Sequence, residues 1–443
     1  MGSRKRVIIW GPGEVGGATL RAAHADDAIE VVGVKVFSPH KDGRDAGELV
    51  GIEPIGIRAT TSKREILDLD ADCVIVTPLP SSILEGIDAD VIALLESGKN
   101  VVTTAAYHNL AMPNWHNQAT TPMSRLREMS RSNGLWRDAA ERRTMRFGRA
   151  LTASKRFDSI GNFALKGVAE QRFPARATPE RMLDACRKGG VTLHGTGVHP
   201  TFMVERLLKR MCQPLSEVSH IRFVESVDFS HAPDGMWGGL KFFGFGRGIA
   251  DIDTDWFLAK AGDFYYGDLT GNVAHAFYGA HPDEVRVERS MRALPAKSDI
   301  QIGSTHIARG TAAVMHMTHR GYLGDHHFFT NEECWYLTPE NAFRGDDLPY
   351  GNFPPHGGYT FEVTGKPTSF RGQFASPELR PHGNMITAAS ANALVDAVIP
   401  TCDAAPGVLI DDAETRRRRE RETGEGETRE RERRVSARRF QVD

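Results

Sequence analysis

The sequence predicts an α/β protein, with an N-terminal Rossmann domain built on a doubly wound parallel sheet and a second α+β domain with a large mixed sheet. Three observations support this fold class. A glycine-rich turn follows an early apolar run, buried strands then alternate with helices up to about residue 104, and strand-like segments dominate from residue 218 to about residue 383. Strands that are apolar along their whole length are typical of a parallel sheet covered on both faces.

The first element is a strand–turn–helix unit. An apolar run over residues 7–9 leads into a turn whose glycines have G-x-G-x-x-G spacing, and a helix-like stretch follows. In this motif the first glycine permits a tight turn, the second lets the backbone approach a pyrophosphate, and the third lets the helix pack on the strand. The helix N-terminus then faces the phosphate charge. The residues expected to bind a dinucleotide here are Gly11, Gly13, Glu14, Val15 and Gly16. A glycine-rich turn without a ligand is the alternative.

The end of the second strand indicates which dinucleotide is bound. An acidic residue that holds the ribose 2′-hydroxyl is expected about 20 residues beyond the glycines. It is absent, and the strand over residues 30–37 is followed by Ser38, His40 and Lys41. A hydroxyl, an imidazole and an ammonium suit a 2′-phosphate, which a carboxylate would repel. The sequence therefore favours NADP, with NAD as the alternative cofactor. If the segment binds no cofactor, it is a surface turn whose polar residues contact water.

Two further strands end in polar or proline-containing segments. Residues 73–76 lead into Thr77 and Pro78, and residues 100–103 lead into Thr104. Ligands of open α/β sheets bind beyond the carboxyl ends of the strands. We therefore expect Thr77, Pro78 and Thr104 to converge on one crevice with the glycine turn and the Ser38 segment.

The predicted domain organisation follows the change from alternating helices and strands to strands alone. The dinucleotide-binding domain covers residues 1–120 and is completed by a helix within residues 384–410. A basic insertion or lid covers residues 121–180, a substrate and dimerisation domain covers residues 181–383, and an Arg/Glu-rich tail, expected to be disordered, covers residues 411–443.

Composition narrows the protein class. Hydrophobic residues make up 40% and charged residues 25% of the chain, as in a globular enzyme or binding protein. No apolar run approaches the roughly 20 residues that a membrane helix needs. The five cysteines are dispersed without a C-x-x-C, which argues against zinc and disulfides. With no signal-peptide pattern at the N-terminus, we expect a cytoplasmic protein without a membrane partner.

Charge is unevenly distributed although the net charge is only −2. Residues 123–180 and the tail are basic, and a basic segment can bind nucleic acid. Neither segment contains the interleaved aromatic residues of a nucleic-acid module, and arginine alternates with glutamate in the tail. A nucleic-acid partner is therefore not expected.

Four motifs together resemble the dihydrodipicolinate reductase-like superfamily, and within it the branch of 2,4-diaminopentanoate dehydrogenases and native amine dehydrogenases. They are Gly-Pro-Gly-Glu-Val-Gly (11–16), Phe-Ser-Pro-His-Lys-Asp-Gly-Arg-Asp-Ala-Gly-Glu-Leu (37–49), Glu-Ser-Gly-Lys-Asn-Val-Val-Thr-Thr (96–104) and Gly-Thr-Gly-Val-His-Pro (195–200). The resemblance covers about residues 5–112 and 181–410. It implies an NAD(P)-dependent Rossmann domain, a sheet-rich substrate domain that forms a homodimer, and reversible hydride transfer at a C=N or C=O carbon of a small molecule.

The chain departs from these relatives at two positions. True dihydrodipicolinate reductases carry a His-His-x-x-x-Lys-x-Asp-x-x-Ser-Gly-Thr segment, whereas here His326 and His327 precede two phenylalanines. The reaction of lysine biosynthesis is therefore not expected. The amine dehydrogenases place an acidic residue after the Thr-Thr strand end, and residues 105–109 contain none. Reduction of an imine or carbonyl therefore fits this segment better than oxidation of an amine.

Three side chains are candidate proton donors to the substrate heteroatom. Tyr107 and His108 follow the fourth predicted strand, and His199 lies in the loop that precedes a helix. An imidazole exchanges protons near neutral pH. The alternatives are that Tyr107 packs, that His108 caps a turn and that His199 braces the turn before Pro200. By the resemblance, Asn392 in the closing helix approaches the cofactor; a solvent-facing position is its alternative.

No metal site is expected, because His316 and His319 point to opposite faces of one predicted strand. The sequence thus predicts an NAD(P)H-dependent oxidoreductase that transfers hydride to or from a small imine or carbonyl/amine substrate. A catalytically silent nucleotide-binding or scaffold protein is the alternative function.

Overall fold

A computed structural model of the chain describes residues 4–78, 87–105, 107, 177–231, 244–253, 266–281, 284–303, 305–341, 357–375 and 385–409. The chain divides into two compact units. The first contains residues 1–120, 173–208 and 386–433, and the second contains residues 121–172, 209–385 and 434–443. The predicted insertion (121–180) lies outside the described residues up to residue 176, and the predicted tail (411–443) lies outside them entirely.

The first unit is built on a seven-stranded sheet in which every strand pair is parallel. Its strands are β1 (Lys5–Trp10), β2 (Ile29–Lys35), β3 (Ala59–Thr60), β4 (Cys73–Val76), β5 (Asn100–Thr103), β6 (Thr192–Gly195) and β15 (Gly407–Leu409). Their order across the sheet is β15-β6-β5-β4-β1-β2-β3. The order reverses between β1 and β4, which is where such sheets bind ligands.

Helices follow most of these strands. They are α1 (Glu14–His24), α2 (Ala46–Leu49), α3 (Lys63–Asp68), α4 (Ile87–Glu96), α5 (Pro179–Gly189), α6 (Val198–Leu208), α9 (Met385–Asp396) and α10 (Val398–Asp403). A core cluster joins β1, α1 and β2 to the two closing helices through Ile9, Leu20, Val34, Leu394 and Val398, each without solvent exposure. Burying such aliphatic side chains is the main force that holds helices on a sheet.

Local signals explain where α5 begins and ends. The Thr178 hydroxyl accepts a hydrogen bond from the Arg181 amide at 3.3 Å, and Pro179 occupies the first turn, where no amide hydrogen is needed. Gly190 ends the helix in the left-handed conformation with φ +67°. The chain then enters β6.

The expected boundary at residue 181 is corrected by this arrangement. Helix α5 and strand β6 belong to the first unit, because β6 pairs in parallel with β5 on one side and with β15 on the other. Strand β6 is too short to carry a strong sequence pattern, and only its pairing places it in this sheet.

The second unit contains a six-stranded mixed sheet in the order β14-β13-β7-β12-β11-β8 and a two-stranded sheet of β9 and β10. The strands are β7 (Glu217–Asp228), β8 (Val285–Pro295), β9 (Ile300–Ile302), β10 (Thr305–Ile307), β11 (Ala312–Leu323), β12 (His326–Tyr336), β13 (Gly358–Lys366) and β14 (Phe370–Ala375). Its helices are α7 (Lys209–Met211) and α8 (Asp268–Tyr278), and α8 packs against β8, β11 and β12. The predicted α/β fold class, a parallel sheet plus a second unit with a mixed sheet, is therefore confirmed. Strand β12 was not predicted from the sequence.

Candidate functional site

The glycine turn connects β1 to α1 at the carboxyl edge of the parallel sheet. Gly11 has φ +92°, a conformation that side chains other than glycine rarely adopt. Its amide donates to the Lys35 carbonyl at 3.0 Å, and its own carbonyl accepts from the Gly13 amide at 2.7 Å. The Thr77 hydroxyl also donates to the Gly11 carbonyl, at 2.8 Å. These bonds tie the turn to the ends of both neighbouring strands.

The other two glycines differ in the space around them. A Cβ atom on Gly16 would lie 2.2 Å from the Gly11 carbonyl oxygen and 2.4 Å from the Thr77 hydroxyl, so only glycine fits there. Gly13 is exposed, and its nearest neighbour to a Cβ atom would be 4.0 Å away. Packing of the protein therefore does not require a glycine at position 13. The missing side chain leaves the backbone accessible to a ligand.

The N-terminus of α1 is suited to an anion. Among the described residues no side chain caps it, so its first amides have no side-chain acceptor. Glu14 and Val15 are half-buried in the first turn, and the Glu14 carboxylate accepts a hydrogen bond from Thr387 of α9 at 3.0 Å. This contact turns Glu14 towards the closing helix, while the backbone of the turn remains the element that fits a pyrophosphate.

Beyond β2 the chain forms a short turn that contains the predicted phosphate ligands. Ser38 is buried, His40 is exposed, and Lys41 is half-buried in the turn Pro39–Lys41. Phe37, which is 61% exposed, precedes them and lies over the ammonium of Lys35, 4.3 Å from its ring centroid. No residue from 35 to 41 is acidic. The turn thus presents cationic and hydroxyl groups.

Lys35 itself is buried and points away from solvent. Its ammonium donates to the Val36 carbonyl at 2.7 Å, and burial lowers its pKa, although Asp90 and Asp42 oppose this effect. Lys35 is therefore part of the structure of the turn, and His40 and Lys41 are the cations available at the surface.

The ends of β4 and β5 lie at the same edge. Thr77 donates its amide to the Trp10 carbonyl at 3.0 Å, and Thr104 donates its amide to the Val76 carbonyl at 3.3 Å. Pro78 is half-buried beside Thr77. Because the strands are parallel, the structure brings Thr77, Pro78 and Thr104 to the same edge as the glycine turn and the Ser38 segment.

Tyr107 is placed differently from its expected role. It is 1% exposed, and its hydroxyl donates a short hydrogen bond to the Asp88 carboxylate of α4. The other oxygen of Asp88 accepts from the Ala177 amide at 2.7 Å. In this structure Tyr107 and Asp88 join α4 to the segment before α5, and the phenol is not presented to a substrate. His108 lies outside the described residues.

The loop after β6 is held by a half-buried arginine that sequence reasoning missed. The Thr196 amide donates to the Thr103 carbonyl at 2.8 Å. Arg206 of α6 donates to the Thr196 hydroxyl at 3.2 Å and lies 2.8 Å from Nε2 of His194. His194 Nδ1 lies 2.7 Å from the Leu409 carbonyl, so it donates there and accepts from the guanidinium. Neither residue lies in a motif, and only the pairing of β6 with β15 identifies them.

Two further predicted residues are placed by the helices. His199 is half-buried, and its extended backbone (φ −133°, ψ 136°) interrupts the start of α6. Asn392 is exposed on α9. The structure therefore puts His199 in the loop at the β6 end, as its sequence position implied, and leaves Asn392 on the surface.

In the second unit, three possible metal ligands lie close together on the sheet. Ligand atoms of His316, Glu332 and Cys334 are all within 4.8 Å of one another. His316 lies 2.7 Å from one Glu332 oxygen, and Arg222 lies 2.6 Å from the other. Burial alone would raise the pKa of Glu332, but hydrogen bonds from His316 and Arg222 lower it. The Arg222 guanidinium neutralises the Glu332 carboxylate, which a metal ion would need as a ligand. We therefore interpret the contacts of Glu332 with His316 and Arg222 as a hydrogen-bonding network.

The chain is similar in sequence and in structure to known reductases and dehydrogenases. Residues 5–108 match the family model of the dihydrodipicolinate reductase N-terminus. An amine dehydrogenase from Streptomyces virginiae is 33% identical over 101 residues, which are 23% of this chain and 28% of that protein. The amine dehydrogenase structure from Mycobacterium smegmatis has a TM-score of 0.55 and 14% sequence identity, and the match covers 93% of this chain and 96% of that chain.

These similarities differ in extent. The chain spans about 28% of the length of the curated relative, all in one segment, whereas the structural likeness covers nearly the whole chain and shows a shared fold. In the described part of the chain, no helix has the length and apolar character that a membrane crossing requires. Residues 5–108 are therefore similar to the N-terminal part of dihydrodipicolinate reductase, in a chain that shares the fold of the amine dehydrogenase.

Proposed function

We propose that the protein is an NAD(P)H-dependent oxidoreductase that transfers hydride to or from the carbon of a small imine or carbonyl/amine substrate. The observation that carries the proposal is the glycine turn at the carboxyl edge of the parallel sheet. There Gly16 allows close packing, Gly13 leaves the backbone open, and α1 presents its amides. The family match of residues 5–108 supports the same cofactor class.

NADP is the proposed cofactor. The turn after β2 carries the exposed His40 and the half-buried Lys41, and the strand end has no carboxylate to repel a 2′-phosphate. Phosphate binding by cations and hydroxyls is favoured through charge-assisted hydrogen bonds. Ser38, which is buried in the same turn, supports the backbone beside them.

When bound, the nicotinamide ring supplies or accepts the hydride. The protein binds the pyrophosphate at the glycine turn, and Thr77, Pro78 and Thr104 line the same edge of the sheet. Arg206 fixes the Thr196 loop by its bond to the hydroxyl. His199, in the same loop, is the proposed proton donor to the substrate heteroatom, because imidazole exchanges protons near neutral pH. His108 remains a second proposed donor.

The test is cofactor binding followed by turnover. NADPH is titrated into the full chain by fluorescence, and its oxidation is followed with small aldehydes, with and without ammonia. We expect binding, and consumption with at least one of the two mixtures. Gly13→Val is expected to fold and to lose NADPH affinity, because a Cβ atom there would lie 4.0 Å from its nearest described neighbour, whereas the side chain would occupy the space of the pyrophosphate. Binding without turnover supports the catalytically silent protein, and absence of binding to wild-type protein refutes both functions.

A homodimer is also proposed. One face of the six-stranded sheet carries a row of paired residues that crosses all six strands, from Glu288 through Arg320, Thr330, Arg222 and Glu362 to Arg371, and all of them except Thr330 are charged. Such a row is self-complementary when a second copy is related by a two-fold axis. Light scattering after gel filtration is expected to give twice the mass of one chain, and a monomer at all concentrations would refute it.

The cytoplasm is the proposed compartment. All five cysteines are free thiols in the structure, although Cys73 and Cys402 lie near each other and interact. Free thiols are usual in reducing compartments. Thiol titration of protein purified without reductant is expected to find all of them reduced.

A further inference from the structure

Two buried acidic residues lie side by side in the second unit. Glu225 of β7 and Glu333 of β12 are directly opposite each other in the parallel register, so their side chains share one face of the sheet. Glu333 has no exposed surface, and Glu225 is 7% exposed. Neighbouring strands lie about 4.8 Å apart, which brings the two carboxyl groups into contact. They form a hydrogen bond with each other.

Neutral side chains from the same unit surround the pair. Asn331 donates from Nδ2 to the Glu333 carboxyl at 2.8 Å, and the side chains of Tyr266 and Trp335 lie close to the same carboxyl. Tyr359 on β13 is paired with Glu225 in the sheet register, and its side chain lies close to that carboxyl. Burial raises the pKa of Glu333 to about 7 in spite of these bonds. The pair therefore holds a proton that neutral pH can remove.

Asn331 supplies a separate observation at this place. The residue has no exposed surface, and its amide nitrogen faces the carboxyl pair. Its carbonyl oxygen Oδ1 is also buried and accepts no hydrogen bond from any residue that the structure describes. A buried acceptor without a donor is costly, so a group that brings N–H donors to this place would be stabilised.

We propose that Glu225, Glu333 and Asn331 form a binding site for an organic ammonium group, the protonated nitrogen of an amine. An ammonium has three N–H donors and no acceptor, which matches two carboxylates and one amide oxygen. The faces of aromatic rings also attract such a cation, and Trp335, Tyr266 and Tyr359 contribute rings here. An anionic ligand would be repelled.

The inference rests on the proposed function in one respect, the assignment of the bound amine as a substrate or product of hydride transfer. In the amine dehydrogenases that the chain resembles, an acidic residue follows the strand that corresponds to β5. Residues 105–109 of this chain contain no acidic residue. Elsewhere in the chain, Glu225 and Glu333 are carboxyl groups with which an ammonium can pair. Amine chemistry is therefore open to this protein, and reduction of an imine would give a product that this site binds.

Binding of a cation is coupled to release of the proton. Among the described residues of the second unit, the titratable groups that face Glu333 are Glu225, Tyr266 and Tyr359, and His319 packs on Tyr266 with ring centroids 5.4 Å apart. An ammonium favours the charged carboxylate and displaces its proton. Affinity is expected to rise with pH through about 7.

The experiment uses the full chain and two probes of the same shape, n-butylammonium chloride and 1-butanol. Calorimetry at pH 7 in phosphate and in MOPS, two buffers that differ in heat of ionisation and contain no primary amine, measures affinity and proton release together. We expect the ammonium to bind and the alcohol to bind at least about tenfold more weakly, because charged hydrogen bonds are lost. The heat is expected to differ between the buffers because a proton is released.

Variants locate the site. Glu333→Gln and Glu225→Gln keep the shape of the side chain and are each expected to weaken butylammonium binding by about tenfold or more. Glu217→Gln, at the start of β7 where the carboxylate pairs with Lys366 at 2.7 Å, is the matched control and is expected to leave affinity unchanged. If a glutamine variant fails to fold, butylammonium affinity is measured on Asn331→Leu instead, where it is also expected to fall. The proton release that accompanies binding to the wild-type protein is a second measurement that needs no variant.

Equal affinity for the alcohol and the ammonium, or affinity unchanged in both glutamine variants, overturns the inference. Displacement of butylammonium by manganese or zinc chloride, lost in Glu333→Gln, would assign the site to a metal and overturns it as well. NADPH binding measured on the same preparations keeps the two proposals apart. Its absence refutes the proposed function, whereas the ammonium titration addresses the site alone.

Discussion

The carbonyl oxygen of Gly11 lies 2.2 Å from the position that a Cβ atom on Gly16 would occupy. This distance is far below van der Waals contact, so the third glycine of the motif is required by packing of the turn itself. Gly13, whose Cβ position is open, is required only by what approaches from outside. The three glycines of one motif therefore separate into structural and ligand-facing positions, and mutation can distinguish them.

Gly16→Ala is expected to lower the free energy of unfolding by about 1–3 kcal/mol, because the methyl group forces the turn apart. Gly13→Ala, at φ −81°, is the control and is expected to change stability by less than about 0.5 kcal/mol. Urea denaturation of both variants measures the difference. Similar stabilities for the two would show that the turn relaxes and that the packing argument is wrong.

Tyr107→Phe is expected to lower the free energy of unfolding by about 1–3 kcal/mol, because the buried Asp88 carboxylate loses a hydrogen-bond donor. The ring remains, so packing is preserved. Turnover of the folded variant is expected to change only a few-fold, as the phenol is not presented to substrate. A large loss of kcat with unchanged stability would instead restore Tyr107 as the proton donor.

The double substitution of His40 and Lys41 by alanine tests the cofactor preference. We expect the Kd for NADPH to rise about tenfold or more and the Kd for NADH to stay within about twofold, since only NADPH carries the 2′-phosphate. Lys63→Ala is a suitable control, because Lys63 pairs with Asp90 at 2.6 Å. Equal effects on both cofactors would place the two cations at the shared pyrophosphate.

His220 is expected to make the second unit sensitive to acid. Burial lowers its pKa to about 4, and His327 and Arg222 add repulsion. Between the ordinary value near 6.5 and about 4, the unfolded chain binds more protons than the folded chain, so the free energy of unfolding decreases as pH falls. The full effect is about 2–3 kcal/mol below pH 4.

Glu333 acts in the opposite direction over part of this range, because its raised pKa makes its contribution to stability fall as pH rises from about 4.5 to about 7. The informative quantity is therefore the difference between wild type and His220→Asn. Thermal unfolding from pH 4 to pH 8 is expected to show a weaker loss of stability at low pH in the variant. Parallel curves would exclude His220 as the cause.

Much of the first unit could be predicted because its signals are local. The glycine spacing, the apolar strands and the polar residues at their ends occur in consecutive residues, and parallel pairing then brings the ends to one edge. The assignment of β6 to the second domain was wrong, because this four-residue strand belongs to the first sheet through its pairing with β5 and β15. Strand β12 was not predicted, because its first residues, His326 and His327, match part of a family motif and do not indicate a strand by themselves.

The sequence alone determined that a dinucleotide-binding turn stands near the N-terminus and that the second strand ends without an acid. These properties depend on residues that are neighbours in the chain. Tertiary structure alone decided that Tyr107 donates to Asp88, that Arg206 holds the Thr196 loop, and that Glu225 and Glu333 share one face of a sheet. Each of these partners is separated by many residues, and hydrogen bonds and register between distant strands leave no periodic pattern that a sequence could reveal.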